Sequence, residues 1–190
     1  MSNEIVFATS NSHKVLEAKT ILKEFGIRVR QVQAKGEEIQ SDDIAAVAST
    51  AARTAARNVG SPLIVEDAGL FVDSLGGFPG PYSSYVFSKL GLEGILRLLG
   101  DSPNRRAVFR SAVAYCEPES DPRLFEGEVR GWIVMAPSGI HGFGFDPIFV
   151  PEGLTQTLAE VDIEEKCRVG HRGIAMRKFG AWFSLGRKKD

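Results

Sequence analysis

Residues 64–70 read IVEDAGL, an apolar run that meets two adjacent carboxylates, Glu66 and Asp67. Like charges side by side repel, and a buried strand penalises each of them through desolvation. An Asx turn accounts for Asp67 alone and leaves Glu66 without a reason. A second acidic pair, Glu37 and Glu38, follows an earlier strand-like segment. Carboxylates at the C-terminal ends of strands in an α/β sheet line the crevice where ligands bind. Hard oxygen ligands at such an edge suit Mg²⁺, which binds through one or two carboxylates together with substrate phosphates. On this reading the strand ends at Glu66, and a divalent cation relieves the repulsion between the pair. Glu37 and Glu38 also read as solvated loop charges, Glu37 the more so.

Three further groupings carry chemistry. In TSNSHK (9–14), a strand gives way to a helix, whose free N–H groups favour anions. The hydroxyl, amide and ammonium groups of Thr9, Ser10, Asn11 and Lys14 suit phosphate. GxxxxGK is absent, so this is not a Walker A loop. The plainer alternative is Ser12 as N-cap with Lys14 in solvent. In GFGFDP (142–147), Phe143 and Phe145 either present ring faces to a planar base or plug the core. Lys166 precedes GHRG (170–173), where His171 and Arg172 can donate to a phosphate or a carbonyl oxygen. An isolated His-Arg pair is ordinarily a surface feature.

The elements that must position these groups follow from periodicity. EIVFA (4–8) reads as a buried strand, and apolar residues from His13 to Phe25 recur at helical spacing before Gly26. IRVRQV (27–32) alternates as a strand, a helix spans 44–59, and PLIVE (62–66) is a short central strand. LGGFPGPYSS (75–84) is irregular, and a helical pattern over 84–99 is punctuated by Gly91. Two long β-type runs joined by ESDP (119–122) form an antiparallel hairpin, and a glycine-rich loop then enters a short strand. Asp162 and Glu165 fit a capping box, and a last helix runs over 171–185. This order gives a mixed α/β sheet with a second lobe built on the hairpin.

The totals are compatible. With 190 residues, 43% hydrophobic and 25% charged, the chain reads as a single globular domain. A net charge of −1 argues against gripping nucleic acid by bulk electrostatics and leaves room for a local basic pocket. Cys116 and Cys167 form no CxxC or Cys/His cluster and read as reduced thiols. No apolar run reaches ~18 residues and the N-terminus lacks a targeting pattern, so a soluble cytoplasmic protein with no membrane partner is expected.

In this order, TSNSHK, EEIQ, VEDAGL with LGGFPGPYSS, GFGFDPIF and EEK…GHRG closely resemble the inosine triphosphate pyrophosphatase family, the Ham1/RdgB-like proteins, over essentially the whole chain. The resemblance implies an elongated two-lobed α/β fold around a long mixed β-sheet, a single domain over 1–190, and a homodimer. It implies Mg²⁺-dependent hydrolysis, with Mn²⁺ as a substitute, of ITP, dITP and XTP to the monophosphate and pyrophosphate. By motif, Thr9, Ser10, Asn11 and Lys14 bind the triphosphate, and Glu38 and Asp67 hold the metal with support from Glu66. Lys14 and Asp67 are catalytic, Asp67 as the base that activates water. Phe143 stacks on the base, Gly144, Phe145 and Asp146 shape its pocket, and Lys166, His171 and Arg172 close it. Ala68 stands where the family often has Ser or Thr, and Gly170 where it usually has Ser. The family's lysine on the second helix is missing, which makes Arg53 the candidate replacement for a phosphate contact. Two rivals remain: a nucleotide-binding sensor without turnover, and a Maf-like pyrophosphatase for modified pyrimidine triphosphates.

Overall fold

The computed structural model describes residues 3–34 and 36–186. Strand β1 (Glu4–Ala8) leads into helix α1 (Ser12–Leu22), a 3₁₀ turn (Lys23–Phe25) and strand β2 (Arg28–Val32). Helix α2 (Ile44–Val59) and strand β3 (Leu63–Val72) follow, then the short strand β4 (Pro79–Gly80) and helix α3 (Ser83–Leu99). The hairpin is β5 (Arg106–Cys116) and β6 (Arg123–Ile133), and strand β7 (Phe149–Pro151) precedes helices α4 (Ile163–Val169) and α5 (His171–Gly186). The seven strands make one mixed sheet in the order β2-β1-β3-β5-β6-β7, with β4 added beside β3. β1 runs parallel to β2 and β3, and the other pairings are antiparallel. Thus the expected α/β class with a long mixed sheet is the observed one.

Local signals set the helix ends. α1 begins at Ser12, so the N-cap is Asn11 rather than Ser12: its side-chain oxygen accepts from the backbone N–H of His13 at 2.9 Å and of Lys14 at 3.2 Å. Gly26, in the left-handed region at φ 66°, stops the 3₁₀ turn that extends α1. Asp162 caps α4 by accepting from Glu165 N–H, but the Glu165 carboxylate turns to Arg168, so only half of the expected capping box forms.

β3 is the main departure from expectation. It does not stop at Glu66 but runs ten residues, paired with β5 from Leu63↔Cys116 to Val72↔Ala107. β5 supplies a continuous ladder of hydrogen-bond partners, so turn-forming residues such as Asp67 and Gly69 stay extended. β1, by contrast, pairs with β3 only at Leu63 and Ile64. Beyond that point one edge of β3 is uncovered until β4 joins at Leu70 and Phe71. The chain leaving β1 turns over this gap, which is a switch point of the sheet.

Each sheet face has its own packing. Phe7, Ile21, Ile64, Phe179 and Phe183 join α1 and α5 to one face. On the other, small residues of α2 (Ala48, Ala52, Ala55, Ala56) lie against Leu63, Val65 and Ala112. Leu70, Val72, Ile95 and Phe149 form a further cluster under α3. No described helix is long and apolar enough to cross a membrane.

Gly127 on β6 sets the seat of α5, since a Cβ there would lie 2.3 Å from the His171 carbonyl oxygen and 2.7 Å from Ala175 N. Neither backbone atom can step aside without moving the helix. Gly127→Ala is therefore expected to cost about 1–3 kcal/mol through overpacking. Urea unfolding checks this, and unchanged stability would contradict the close seat of α5.

Candidate active site

Successive side chains of a strand point to opposite faces. Ile64 belongs to the α1/α5 side, and Leu63 and Val65 to the α2 side. Glu66 therefore shares the α1/α5 side, and Asp67 lies on the α2 side opposite Ala112. Adjacent in sequence, the two carboxylates occupy different environments.

Glu66 is buried at 4% exposure. Its Oε2 lies 2.9 Å from Lys14 Nζ and its Oε1 lies 3.0 Å from Arg172 Nε. The Ser111 hydroxyl donates to Oε1 at 2.6 Å, and Lys14 Nζ also donates to the Glu66 carbonyl oxygen at 2.9 Å. Burial pushes the carboxyl up, but Arg172, Lys14 and the Ser111 hydrogen bond outweigh it and hold Glu66 well below the usual range. The repulsion expected from the sequence is thus offset in part by two protein cations. Both oxygens of Glu66 thus face protein cations.

Asp67 is half-buried, and its carboxyl is pushed up to about 6. Burial is the main cause, Glu66 and Glu38 act in the same direction, and Lys14 with the Ala68 N–H opposes them. Glu38 is exposed in the loop after β2, near enough to Asp67 to raise it. Among the described residues no group of three or more His, Cys, Asp or Glu is arranged around a metal. Two carboxylates with an uncompensated excess of negative charge nevertheless fit a hard divalent cation that takes its remaining ligands from phosphate and water.

The cations on the Glu66 side have a second acid that sequence reasoning missed. Glu17, in α1 and 3% exposed, lies 2.6 Å through Oε1 from Lys166 Nζ and 2.7 Å through Oε2 from Arg172 Nη1. Lys166 also reaches Asp146 Oδ2 at 2.5 Å, and that oxygen accepts from Phe143 N–H at 2.7 Å. Charges therefore alternate in one line: Asp146, Lys166, Glu17, Arg172, Glu66, Lys14. Burial opposes ionisation of Glu17, yet Arg172 and Lys166 together bring it down to about 2. A signal was present in the sequence, because Glu17 falls on the inner stripe of α1 between Lys14 and Ile21. Ser111, the other missed residue, had no local signal.

The aromatic residues divide. Phe143 is half-buried, with the His13 ring stacked on it at 5.1 Å, Lys166 Nζ at 4.5 Å and Arg172 Cζ at 5.2 Å from its ring centroid. Phe145 is a core residue at 3% exposure, edge-on to Phe87. Gly142, at φ 73°, lets Asp146 fold back, since a Cβ there would lie 2.2 Å from Asp146 Oδ2. Gly144 has φ 62°. His171 is buried and stacked on Phe109 at 4.5 Å and 8°, and its Nδ1 has no hydrogen-bond partner. Burial, aided by Arg172, pushes the imidazole down to about 3, so the ring is neutral near pH 7.

The remaining candidates are quickly placed. Thr9 Oγ1 accepts from Asn11 N–H at 3.2 Å, and Ser10 is exposed beside it. Ala68 lies opposite Ser111, whose hydroxyl serves Glu66. Gly170 separates α4 from α5, and a Cβ there would lie 2.6 Å from the Lys166 carbonyl oxygen. Arg53 does not reach the Thr9–Lys14 loop: its Nη2 donates to Asp121 Oδ1 at 3.0 Å, in the turn between β5 and β6. Helix α2 aims it toward the Leu63 end of β3, and the exposed acid of the turn supplies its partner.

The chain has clear relatives among known proteins. The model of the Ham1 family matches residues 5–182. A dITP/XTP pyrophosphatase of Methanopyrus kandleri is 50% identical over 95% of the chain and 96% of its own length. One from Hyperthermus butylicus is 47% identical over 94% and 93%. A solved HAM1 protein of Coxiella burnetii superposes with a TM-score of 0.85 at 30% identity, covering 97% of this chain and all of that one.

Two outcomes follow from the two faces of β3. Glu66→Gln leaves Lys14 and Arg172 short of a buried counter-charge and is expected to cost about 3–5 kcal/mol. Asp67→Asn removes one of the facing negative charges and leaves the melting temperature unchanged or slightly raised without added metal. Equal losses in calorimetry would contradict the separation. The second outcome concerns acid. Glu17 is depressed from 4.5 to about 2, so its contribution is full above about pH 4.5 and is lost as pH falls toward about 2. The stability gap between the wild type and Glu17→Gln should close over that window. A gap independent of pH would contradict the ion pairing of Glu17.

Proposed function

The chain belongs to the Ham1 family, and on that footing we propose that it is a nucleoside triphosphate pyrophosphatase acting on non-standard purine nucleotides. ITP, dITP and XTP are hydrolysed to the monophosphate and pyrophosphate, which clears them from the nucleotide pool. The observation that carries the reading is the division of labour on β3. Glu66 locks Lys14 and Arg172 in place, while Asp67, the next residue and on the other face, has a carboxyl that burial raises above the usual range.

Thr9, Ser10, Asn11 and Lys14 receive the triphosphate at the start of α1, where backbone N–H groups and a fixed ammonium favour anions. Glu38 and Asp67 would hold Mg²⁺, with Mn²⁺ as a substitute, and Glu66 serves the site by orienting Lys14 and Arg172. Such an ion would supply charge neutralisation to the bound triphosphate. Asp67 takes the proton of a water that attacks the α-phosphorus, acting as general base. Lys14 and Arg172 compensate the charge that develops as pyrophosphate leaves. The base stacks on Phe143 after His13 gives way, and Asp146, Lys166, His171 and Arg172 surround it. A six-position oxygen meets donors there, whereas the amino group of adenine does not. With Gly170 carrying no hydroxyl, discrimination against ATP falls short of the order of 10⁴ that a fully built hydrogen-bonding site can reach. In this reading the single two-lobed domain works as a cytoplasmic homodimer, and exposed Tyr82 and Tyr85, at the N-cap and in the first turn of α3, supply apolar surface for such contacts.

Hydrolysis of ITP with Mg²⁺ in oxygen-18 water tests the reading. The label is expected in IMP, with pyrophosphate unlabelled. Asp67→Asn should keep the fold and lose about 10²–10⁴-fold in rate. Release of IDP and orthophosphate, or an Asp67→Asn variant of near wild-type rate, would overturn the mechanism.

A further inference from the structure

Between the last turn of α1 and the edge of β2 lies a groove of about 670 Å³, lined in part by Lys19, Lys23, Ile27, Arg28, Val29 and Arg30. Its floor is apolar, with Ile27 buried and Val29 half-buried, and its four cations are exposed. Glu4 lies 3.3 Å from Arg30 Nε. Among the described residues, no carboxylate pairs with Lys19, Lys23 or Arg28. A chain of net charge −1 therefore gathers an uncompensated positive patch here. None of its cations belongs to the nucleotide site.

The backbone beside this patch is also unpartnered. β2 is the outermost strand of the sheet. Arg28 N–H donates to the Asn3 carbonyl at 2.8 Å, and the Val32 carbonyl accepts from Thr9 N–H at 3.1 Å. Residues 28, 30 and 32 thus turn their backbone groups to β1, and by alternation Val29 and Gln31 turn theirs outward. Side chains alternate as well. Arg28 and Arg30 stand opposite Glu4 and Val6, on the α2 side, whereas Val29 packs on the side of α1, which carries Lys19. Cations therefore flank the open edge on both faces. Charged side chains keep an edge strand from pairing indiscriminately, and charges of a single sign make that filter selective.

We propose that the open edge of β2 is a docking surface for an extended, acidic segment of a partner protein, which adds to the sheet as a further strand. Its main chain supplies donors and acceptors to Val29 and Gln31. Its carboxylates, alternating from face to face, meet Arg28 and Arg30 on one side and Lys19 and Lys23 on the other. Charge and hydrogen bonding together select this occupant. A second copy paired edge to edge sets Arg28 and Arg30 against the same residues, and like charges facing across strands destabilise a pair. A phosphodiester linkage offers acceptors but no donors, which leaves the outward carbonyls of Val29 and Gln31 unserved.

Fluorescence anisotropy on the intact chain tests this, with a labelled seven-residue peptide of alternating glutamate and valine. Saturable binding is expected. Reversing two exposed cations, in the double variant Lys23→Glu and Arg28→Glu, should weaken it about 10-fold. Both residues lie outside the printed ion pairs of the fold, so the melting temperature should stay at the wild-type value. Methylating every second peptide amide removes donors to β2 in one phase and spares them in the other. One phase should lose about 10-fold in affinity and the other should match the parent peptide. Equal affinity of the two phases overturns strand addition, and this arm needs no variant. Binding untouched by the double reversal, or no binding at all, also overturns the proposal. So does tighter binding of an oligothymidylate of the same charge, which assigns the groove to nucleic acid. A dimer that the double reversal dissolves assigns the edge to a second copy and overturns it likewise.

Discussion

A carboxylate placed in the middle of a paired strand and shut off from water must be neutralised by its neighbours, and Glu66 is in that position. Burial of an isolated charge is prohibitive in a low-dielectric interior, so it must meet cations with good geometry. Lys14, Arg172 and the Ser111 hydroxyl supply that compensation. Arg172, itself 3% exposed, then needs more negative charge than Glu66 shares with it, and Glu17 provides it. Glu17 in turn takes Lys166, and Lys166 takes Asp146. One buried charge thus dictates a line of partners across α1, β3, the glycine-rich loop, α4 and α5. Such a line adds little net stability compared with apolar packing, because desolvation cancels much of the attraction. Its effect is geometric, since every member has one arrangement in which all are satisfied.

The other face of β3 lacks this compensation. Asp67 has Lys14 within electrostatic reach but also has Glu66 and Glu38, and burial acts on it first. Two neighbouring carboxyls are therefore driven to opposite ends of the carboxylate range by a single structural fact, the alternation of side chains along an extended strand. Separated environments of this kind let chemically identical groups take different roles. The early end of β1 completes the arrangement. It uncovers the edge of β3 where Lys14 can reach the main chain and the carboxylate of Glu66 at once.

Close backbone approaches hold the line in register. Gly127 brings β6 against the start of α5, and Gly142 brings the glycine-rich loop onto Asp146. Residues that depart from the family pattern read differently once placed. Ala68 faces Ser111, so a hydroxyl is present on that side from the neighbouring strand. At Gly170 a side chain would press on the Lys166 carbonyl, so the glycine suits the break between α4 and α5 as it stands.

Much of this was legible in the linear order of residues. Apolar spacing located the helices and the long hairpin, Gly26 marked a stop, and the polar groupings around Lys14, Glu66 and Arg172 do lie together. Periodicity reports such features because each is decided by contacts within a few residues. The extent of β3 was not legible, because Asp67 and Gly69 are turn-formers locally and only the ladder from β5 keeps them extended. Nor were the separate surroundings of Glu66 and Asp67, the pairing of Arg53 with Asp121, or the partners of Glu17, which lie far along the chain. The sequence by itself determined which charged groups the chain carries and on which elements they sit. The tertiary structure decided which of them meet, because an ion pair depends on distance in space and its strength on the water that folding removes.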